Sequence, residues 1–347
     1  MQKKYVLSAT VMLALAAGMN TPARAAALPQ VQTDNILGVP VASLDDGTTT
    51  LRVAGDAQIV SYSAGSGSAE ATIQLGTKDS PGVGSDGRSV VDLVISLGMP
   101  PDKAQAAFGR LAQHAAQAGG PAGVMYSAIA AAPSGSDAMA VVAPSGSDEN
   151  KSVGGQADSG SAASGTATAG RPAATAASKY WTQYCVAVDG GSGKRVHSYG
   201  CTVRYKDYTH GADWWIADEA TASGWSTNED HFNPDRLLGL RFWVVMPANN
   251  ILSKWNPNRT ITLPDSCKTV TTTVNSPQTG TSYSSDNTVC SDTLGPYISS
   301  DHLQFGSEWQ GVEPNAYFYE GVTWTALWHS PANASAQGYC KIYMSWT

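Results

Sequence analysis

No tryptophan and no cysteine appears in the first half of this 347-residue chain; the ten tryptophans begin at Trp181 and the five cysteines at Cys185. Charged side chains are sparse throughout, 14% of all residues, and the acidic ones prevail, for a net charge of −7. Without a basic patch, nucleic acid is not an expected partner, and anionic membrane surfaces are disfavoured for the same reason. Beyond the first 25 residues no run approaches the roughly 18 apolar residues of a transmembrane helix, so no membrane insertion is expected. There is no C-x-x-C, no H-x-x-x-H and no other paired Cys/His spacing, so neither a metal nor another cofactor is expected. A Gly-x-Ser-x-Gly elbow, an HExxH helix and a strand leading into a glycine-rich phosphate loop are all missing, which removes the motif-bearing hydrolase and nucleotide chemistries.

The first 25 residues have the make-up of an export signal. Lys3 and Lys4 form a positive start, Val6 to Gly18 is an apolar run too short to span a bilayer, and Ala23-Arg24-Ala25 offers small residues at a cleavage site. A mature chain beginning near Ala26, secreted or periplasmic, is expected.

Residues 26–130 hold only three large rings, Tyr62, Phe108 and Tyr126. Leu51–Ala54, Gln58–Ser63 and Ala71–Leu75 have strand character, and Ser89–Leu97 is a nearly continuous apolar run that reads as a buried strand. Pro100-Pro101, Asp102 and Gly119-Gly120 then bracket one helix, with Ala104, Ala107, Phe108, Leu111 and Ala115 on one face. These features predict a small separate α+β unit, with a propeptide or half-ordered spacer as the alternative. Residues 131–178 follow as a linker: 30 of the 48 are Ala, Gly or Ser, and the hexapeptide Ala-Pro-Ser-Gly-Ser-Asp occurs at Ala132 and again at Ala143. Such a composition buries too little apolar surface to offset its chain entropy.

From Lys179 the composition changes abruptly. Short strand-like runs, among them Tyr180–Val188, Val196–Tyr205, Leu237–Met246, Lys268–Val274, Thr281–Val289, Ala316–Trp328 and Tyr339–Trp346, are separated by Gly, Pro, Asn and Asp. This predicts a mainly β domain over 179–347, an antiparallel two-layer β-sandwich or jelly roll. Alternation places Leu238, Leu240, Phe242, Val244 and Met246 on one face of their strand. It likewise sets Cys340, Ile342, Met344 and Trp346 inward and Tyr339, Lys341 and Tyr343 toward water. Two hairpins bring Cys185 to Cys201 and Cys267 to Cys290, so those disulfides are expected, each contributing on the order of 3 kcal/mol. Cys340 is left over, a buried free thiol unless it displaces one of the four or bridges chains.

Aromatic density is the first functional signal, because ring faces stack on the C–H surface of sugars. Most of these rings must nevertheless be core, since each removes roughly 150–250 Å² from water. Trp214, Trp225, Trp255 and Trp309, in polar surroundings, are the candidate ligand-binding residues. The second signal is the carboxylates among them: Asp218-Glu219, Glu229-Asp230 beside His231, Glu308, Glu313 and Glu320. Glycan hydrolysis needs two carboxyls flanking a cleft, and Glu308 with Glu320 is the candidate catalytic set. Glu320 faces inward by alternation unless Gly321 marks a bulge that turns it to water. The hairpin over Thr269–Ser285 reads as a solvated edge rather than a membrane-inserting element. The expected function is a secreted binding protein whose sandwich recognises glycan or a cell-surface component. A secreted glycan hydrolase is the alternative, and a structural or envelope-associated protein the third reading.

Overall fold

Strand pairing joins the beginning of the chain to its end. The structure, a computed structural model, describes residues 30–36, 38–55, 57–75, 88–120, 179–227, 235–263, 267–290, 292–311 and 320–347, together with the backbone of 3–6. In chain order these form β1 (Lys3–Val6), β2 (Gln32–Ile36), β3 (Val39–Asp45), β4 (Thr50–Gly55), β5 (Ala57–Ala64) and β6 (Ser68–Leu75), then helices α1 (Val90–Ser96) and α2 (Pro101–Gln117). The second half supplies β7 (Lys179–Gly190), β8 (Val196–His210), β9 (Asp213–Ser226), β10 (Leu237–Val245), β11 (Ile251–Asn256) and β12 (Ile261–Thr262). It ends with β13 (Lys268–Asn275), β14 (Ser282–Val289), β15 (Thr293–Ile298), β16 (Gln304–Gln310), β17 (Glu320–Ser330) and β18 (Tyr339–Trp346).

Two eight-stranded sheets result. Sheet 1 runs β1-β5-β6-β18-β10-β16-β15-β12, and sheet 2 runs β11-β17-β9-β8-β7-β4-β3-β2; β13 and β14 form a hairpin of their own. The sandwich expected for 179–347 is present, but the separate N-terminal unit is not. β6 pairs with β18 from Tyr339↔Gln74 to Ser345↔Ser68, and β4 pairs with β7 from Thr50↔Asp189 to Gly55↔Tyr184. The described residues up to Gly120 and those from Lys179 onward belong to one unit. A small-residue stretch in the sequence looks the same whether it joins two folded units or is inserted into one. The expected linker lies outside the described residues. Of the expected export signal only Lys3–Val6 is described, as an edge strand antiparallel to β5.

Alternating side chains fill the space between the sheets. Leu51, Val186, Phe242, Val244, Trp309, Trp324, Ile342 and Met344 are all buried there. The sheets approach so closely that a Cβ on Gly200 would stand 2.7 Å from the Phe242 ring. A bulge between Leu237 and Gly239 corrects one detail: Leu237, not Leu238, is the core residue at the start of β10. Sheet 2 is apolar on its other face too, where Cys185, Ala187, Tyr199, Cys201, Val203, Ala217 and Leu327 pack with α1, α2 and the β13–β14 hairpin. The fold is therefore a β-sandwich with a third layer over one sheet.

Ser89–Leu97, expected as a strand, is a helix. Ser89 caps it, its Oγ accepting from Asp92 N at 3.3 Å while Asp92 Oδ2 accepts from Ser89 N at 2.8 Å. Val90, Val91, Leu93 and Val94 are all buried, so the apolar run carries no helical period to distinguish it from a buried strand. α2 matches its expected span, with Ala104, Phe108, Leu111 and Ala115 buried. Both expected disulfides are present, Cys185–Cys201 across directly paired strands and Cys267–Cys290 at the base of the hairpin. Cys340 is a free, buried thiol, its ionisation pushed up by burial. No helix among the described residues is long and apolar enough to cross a membrane.

Candidate functional site

The two carboxylates nominated for catalysis lie on opposite sides of sheet 1. Glu308 neighbours core residue Trp309 on β16 and so points outward, whereas Glu320 at the start of β17 is fully buried, Oε2 accepting from Cys290 N at 3.0 Å. Inward parity holds for Glu320, and the backbone of the stapled hairpin meets its charge. The pair thus shares no cleft. Asp218 and Glu219 are each bound inside the protein, as set out below, and Glu229, Asp230, His231 and Glu313 lie outside the described residues.

Glu308 belongs to a cross-strand row on the outer face of sheet 1. Register sets Glu70, Tyr343, Arg241 and Glu308 side by side on β6, β18, β10 and β16. A groove of about 580 Å³ runs beside this row. Arg241 donates to Glu308 through Nε at 2.8 Å and Nη2 at 2.6 Å, and its guanidinium lies 4.2 Å from the Tyr297 centroid and 5.5 Å from that of Tyr343. Lys341 pairs with Glu70 at 2.9 Å and lies 5.3 Å from the Trp243 centroid. Both carboxylates are neutralised and the rings carry cations already. Glu70 and Glu308 are three strands apart, roughly 14 Å between backbones at about 4.8 Å per strand, with Arg241 and Tyr343 between them. The row is a solvent-facing mesh of ion pairs and cation–π contacts rather than a catalytic pair.

Of the four nominated tryptophans, two are core. Trp309 is fully buried between the sheets, and Trp225, buried on the third-layer side, stacks on Tyr199 at 5.2 Å and 8°. Both sit within strands, where polar neighbours in sequence point the other way. Trp255, on edge strand β11, packs against His302 and Phe305. Trp214 lines a cleft.

That cleft, about 510 Å³, opens where β7, β9 and the stretch after β17 meet. A register shift between Tyr180 and Thr182 accommodates Trp181, which meets Trp214 edge to face at 5.6 Å and 66°. Both indoles are half-buried. Facing them is a wall of small residues, Ser330 to Gln337, fixed at three points. Ala332 N donates to Asp213 Oδ1 at 2.9 Å, Asn250 Nδ2 to Ser335 O at 2.9 Å, and Arg204 Nη1 to Ala336 O at 3.1 Å. Arg204 is itself held between the sheets by Asp218, Nε to Oδ1 at 2.7 Å and Nη2 to Oδ2 at 2.8 Å; Asp218 Oδ2 also accepts from Trp328 Nε1 at 3.0 Å. Lys206, two residues on, rests its ammonium 3.8 Å from the Trp214 centroid. The cleft is therefore preformed, aromatic on one side and walled on the other by small and polar residues that include Ser335 and Gln337. The sequence nominated Trp214 alone; the bulge that turns Trp181 and the loop that completes the wall have no sequence signal of their own.

A smaller pocket of about 340 Å³ lies where α2 meets the β13–β14 hairpin. His114 Nδ1 donates to Ser284 O at 2.7 Å and lies 3.6 Å from Glu219 Oε2. Glu219 is buried, accepting from Tyr205 Oη and Ser284 N, each at 2.7 Å. Hydrogen bonding and charge from Glu219 hold His114 above its ordinary value against the opposing effect of burial. Among the described residues no group of three or more His, Cys, Asp or Glu is placed to hold a metal ion. The chain matches no protein-family model and no curated protein.

Proposed function

We propose that this is an exported glycan-binding protein whose ligand stacks in the Trp181–Trp214 cleft. One observation carries the reading: two half-buried indoles, set at an angle, face a wall already fixed by Asp213, Asn250 and Arg204. An indole face is complementary to the C–H surface of a pyranose, and the polar residues Ser335 and Gln337 on the opposite wall suit its hydroxyl groups. Preorganisation matters because a wall that need not be ordered on binding leaves more of the contact energy as affinity. Export is supported by the leader composition and by the two disulfides, which persist in oxidising compartments.

The test is depletion of the full-length mature protein from solution by insoluble polysaccharides, peptidoglycan included. Depletion by one polymer that Trp214→Ala abolishes, while the variant keeps the wild-type circular dichroism, is the expected result. Equal depletion of wild type and Trp214→Ala, or none by any polymer, refutes the cleft as a glycan site.

A further inference from the structure

We infer that the sugar bound in the Trp181–Trp214 cleft carries an acid group, a uronate carboxylate or a sugar sulfate, and that Lys206 pairs with it. This rests on the glycan reading and narrows it. Among the described lysines that are half-buried, Lys194 and Lys341 are ion-paired, with Asp45 and Glu70 respectively. Lys206 is half-buried too, yet no described carboxylate lies within ion-pair distance; its ammonium rests on the Trp214 ring. The carboxylates nearest it along its own strand and its partner strand are engaged elsewhere. Asp207 accepts from Ser276, Thr279 and Tyr283, Asp213 from Ala332 N, and Asp218 from Arg204 and Trp328.

Lys206, half-buried as a residue with its ammonium against an indole, has a cation that the ring face compensates only in part and that an acid group would pair with directly. The four-carbon stem lets the ammonium swing off the ring. An arriving acid group then draws Lys206 away from Trp214 and bares the indole for the sugar face, so pairing and stacking reinforce one another. The net charge of −7 does not oppose this at contact range, because screening at physiological ionic strength acts over about 8 Å.

The experiment titrates the full-length mature protein, by tryptophan fluorescence and calorimetry, with oligogalacturonate, dextran sulfate and a neutral cello-oligosaccharide. Wild type is expected to bind one acidic ligand at least about tenfold more tightly than the neutral one. Lys206→Met is expected to erase about a tenfold preference for the acidic over the neutral ligand, as for one lost charge-assisted hydrogen bond. Whichever acidic arm is tighter names the group. Ala334→Trp, which fills the cleft from its wall, serves as the blocking variant should Trp214→Ala fail to fold, and is expected to abolish binding. Neutral binding as tight as acidic, with Lys206→Met unchanged, overturns the acid-group inference and leaves the glycan reading standing. Acidic binding that survives Ala334→Trp means surface electrostatics and overturns the inference. No binding in any arm overturns both.

Discussion

Replacing Asp218 with asparagine tests how far the cleft depends on the charge beneath it. Arg204 and Asp218 are 1% and 0% exposed, and their two parallel hydrogen bonds are 2.7 and 2.8 Å long. Asparagine keeps the shape and one acceptor but leaves the guanidinium as an uncompensated charge between the sheets, with Met246 Sδ and the carbonyl of Ala336 as its other partners. Breaking one side of a buried pair costs about 3–5 kcal/mol, a large share of the 5–15 kcal/mol that stabilises a typical domain. Each kcal/mol shifts the unfolding midpoint by about 2–4 °C at this size, so Asp218→Asn should lower Tm by about 6–20 °C. Differential scanning calorimetry and urea titration read this directly. The double variant Arg204→Met with Asp218→Leu removes both charges and should recover most of the loss, to within about 1 kcal/mol of wild type. A single variant within about 2 °C of wild type, or a double variant no more stable than the single, would refute the view that the pair is dry and mutually dependent.

Further outcomes follow from the same geometry. Trp309→Ala and Trp225→Ala should each cost about 3–5 kcal/mol in urea unfolding, as core truncations do, and a smaller loss at either site would mean the ring is not in the core. His114, raised in the folded state mainly by Glu219, binds its proton more tightly folded than unfolded. Its contribution is complete below the unfolded value near 6.5 and is lost as pH climbs through the folded value, with Asp286, Arg110 and Ser284 O the other groups facing it. Wild type should therefore lose stability, relative to His114→Gln, as pH rises from about 6.5 through the folded value, and parallel pH profiles would exclude the effect. A thiol reagent should leave native protein untouched and titrate a single group, Cys340, after unfolding without reductant; rapid native reaction would show that the thiol is accessible.

Much of the fold was legible wherever one strand's own period carries the information. The inward set Cys340, Ile342, Met344, Trp346 and its outward partners Tyr339, Lys341 and Tyr343 follow from alternation, and both disulfides from hairpin symmetry. Properties that depend on pairing between distant segments were hidden. Nothing local in Ser68–Leu75 shows that its partner is the last strand of the chain, 271 residues from Glu70 to Lys341. α1 was misread because a helix buried all round shows no stripe, although its Ser89–Asp92 capping pair was visible in the sequence. The cleft was half legible. Trp214 stood out by its polar sequence neighbours, but Trp181 needs a register shift to turn it, and Lys206 takes its meaning only from the acids around it being engaged elsewhere.

The return of the chain at Tyr180 has one more consequence. Tyr180 N donates to the carbonyl of Ala118 at 3.1 Å, so the described residues that flank the 58 positions 121–178 meet through one hydrogen bond. Among the described residues the ladders joining the two halves are β4 to β7 and β6 to β18, and both disulfides fall on the C-terminal side of that stretch. A cut within it would thus yield two polypeptides with no covalent link that remain interleaved through both sheets. They would behave as the halves of a split protein, migrating together under native conditions and separating in detergent. Neither half could complete its own sheets, so one gene would specify what is in physical terms an obligate heterodimer.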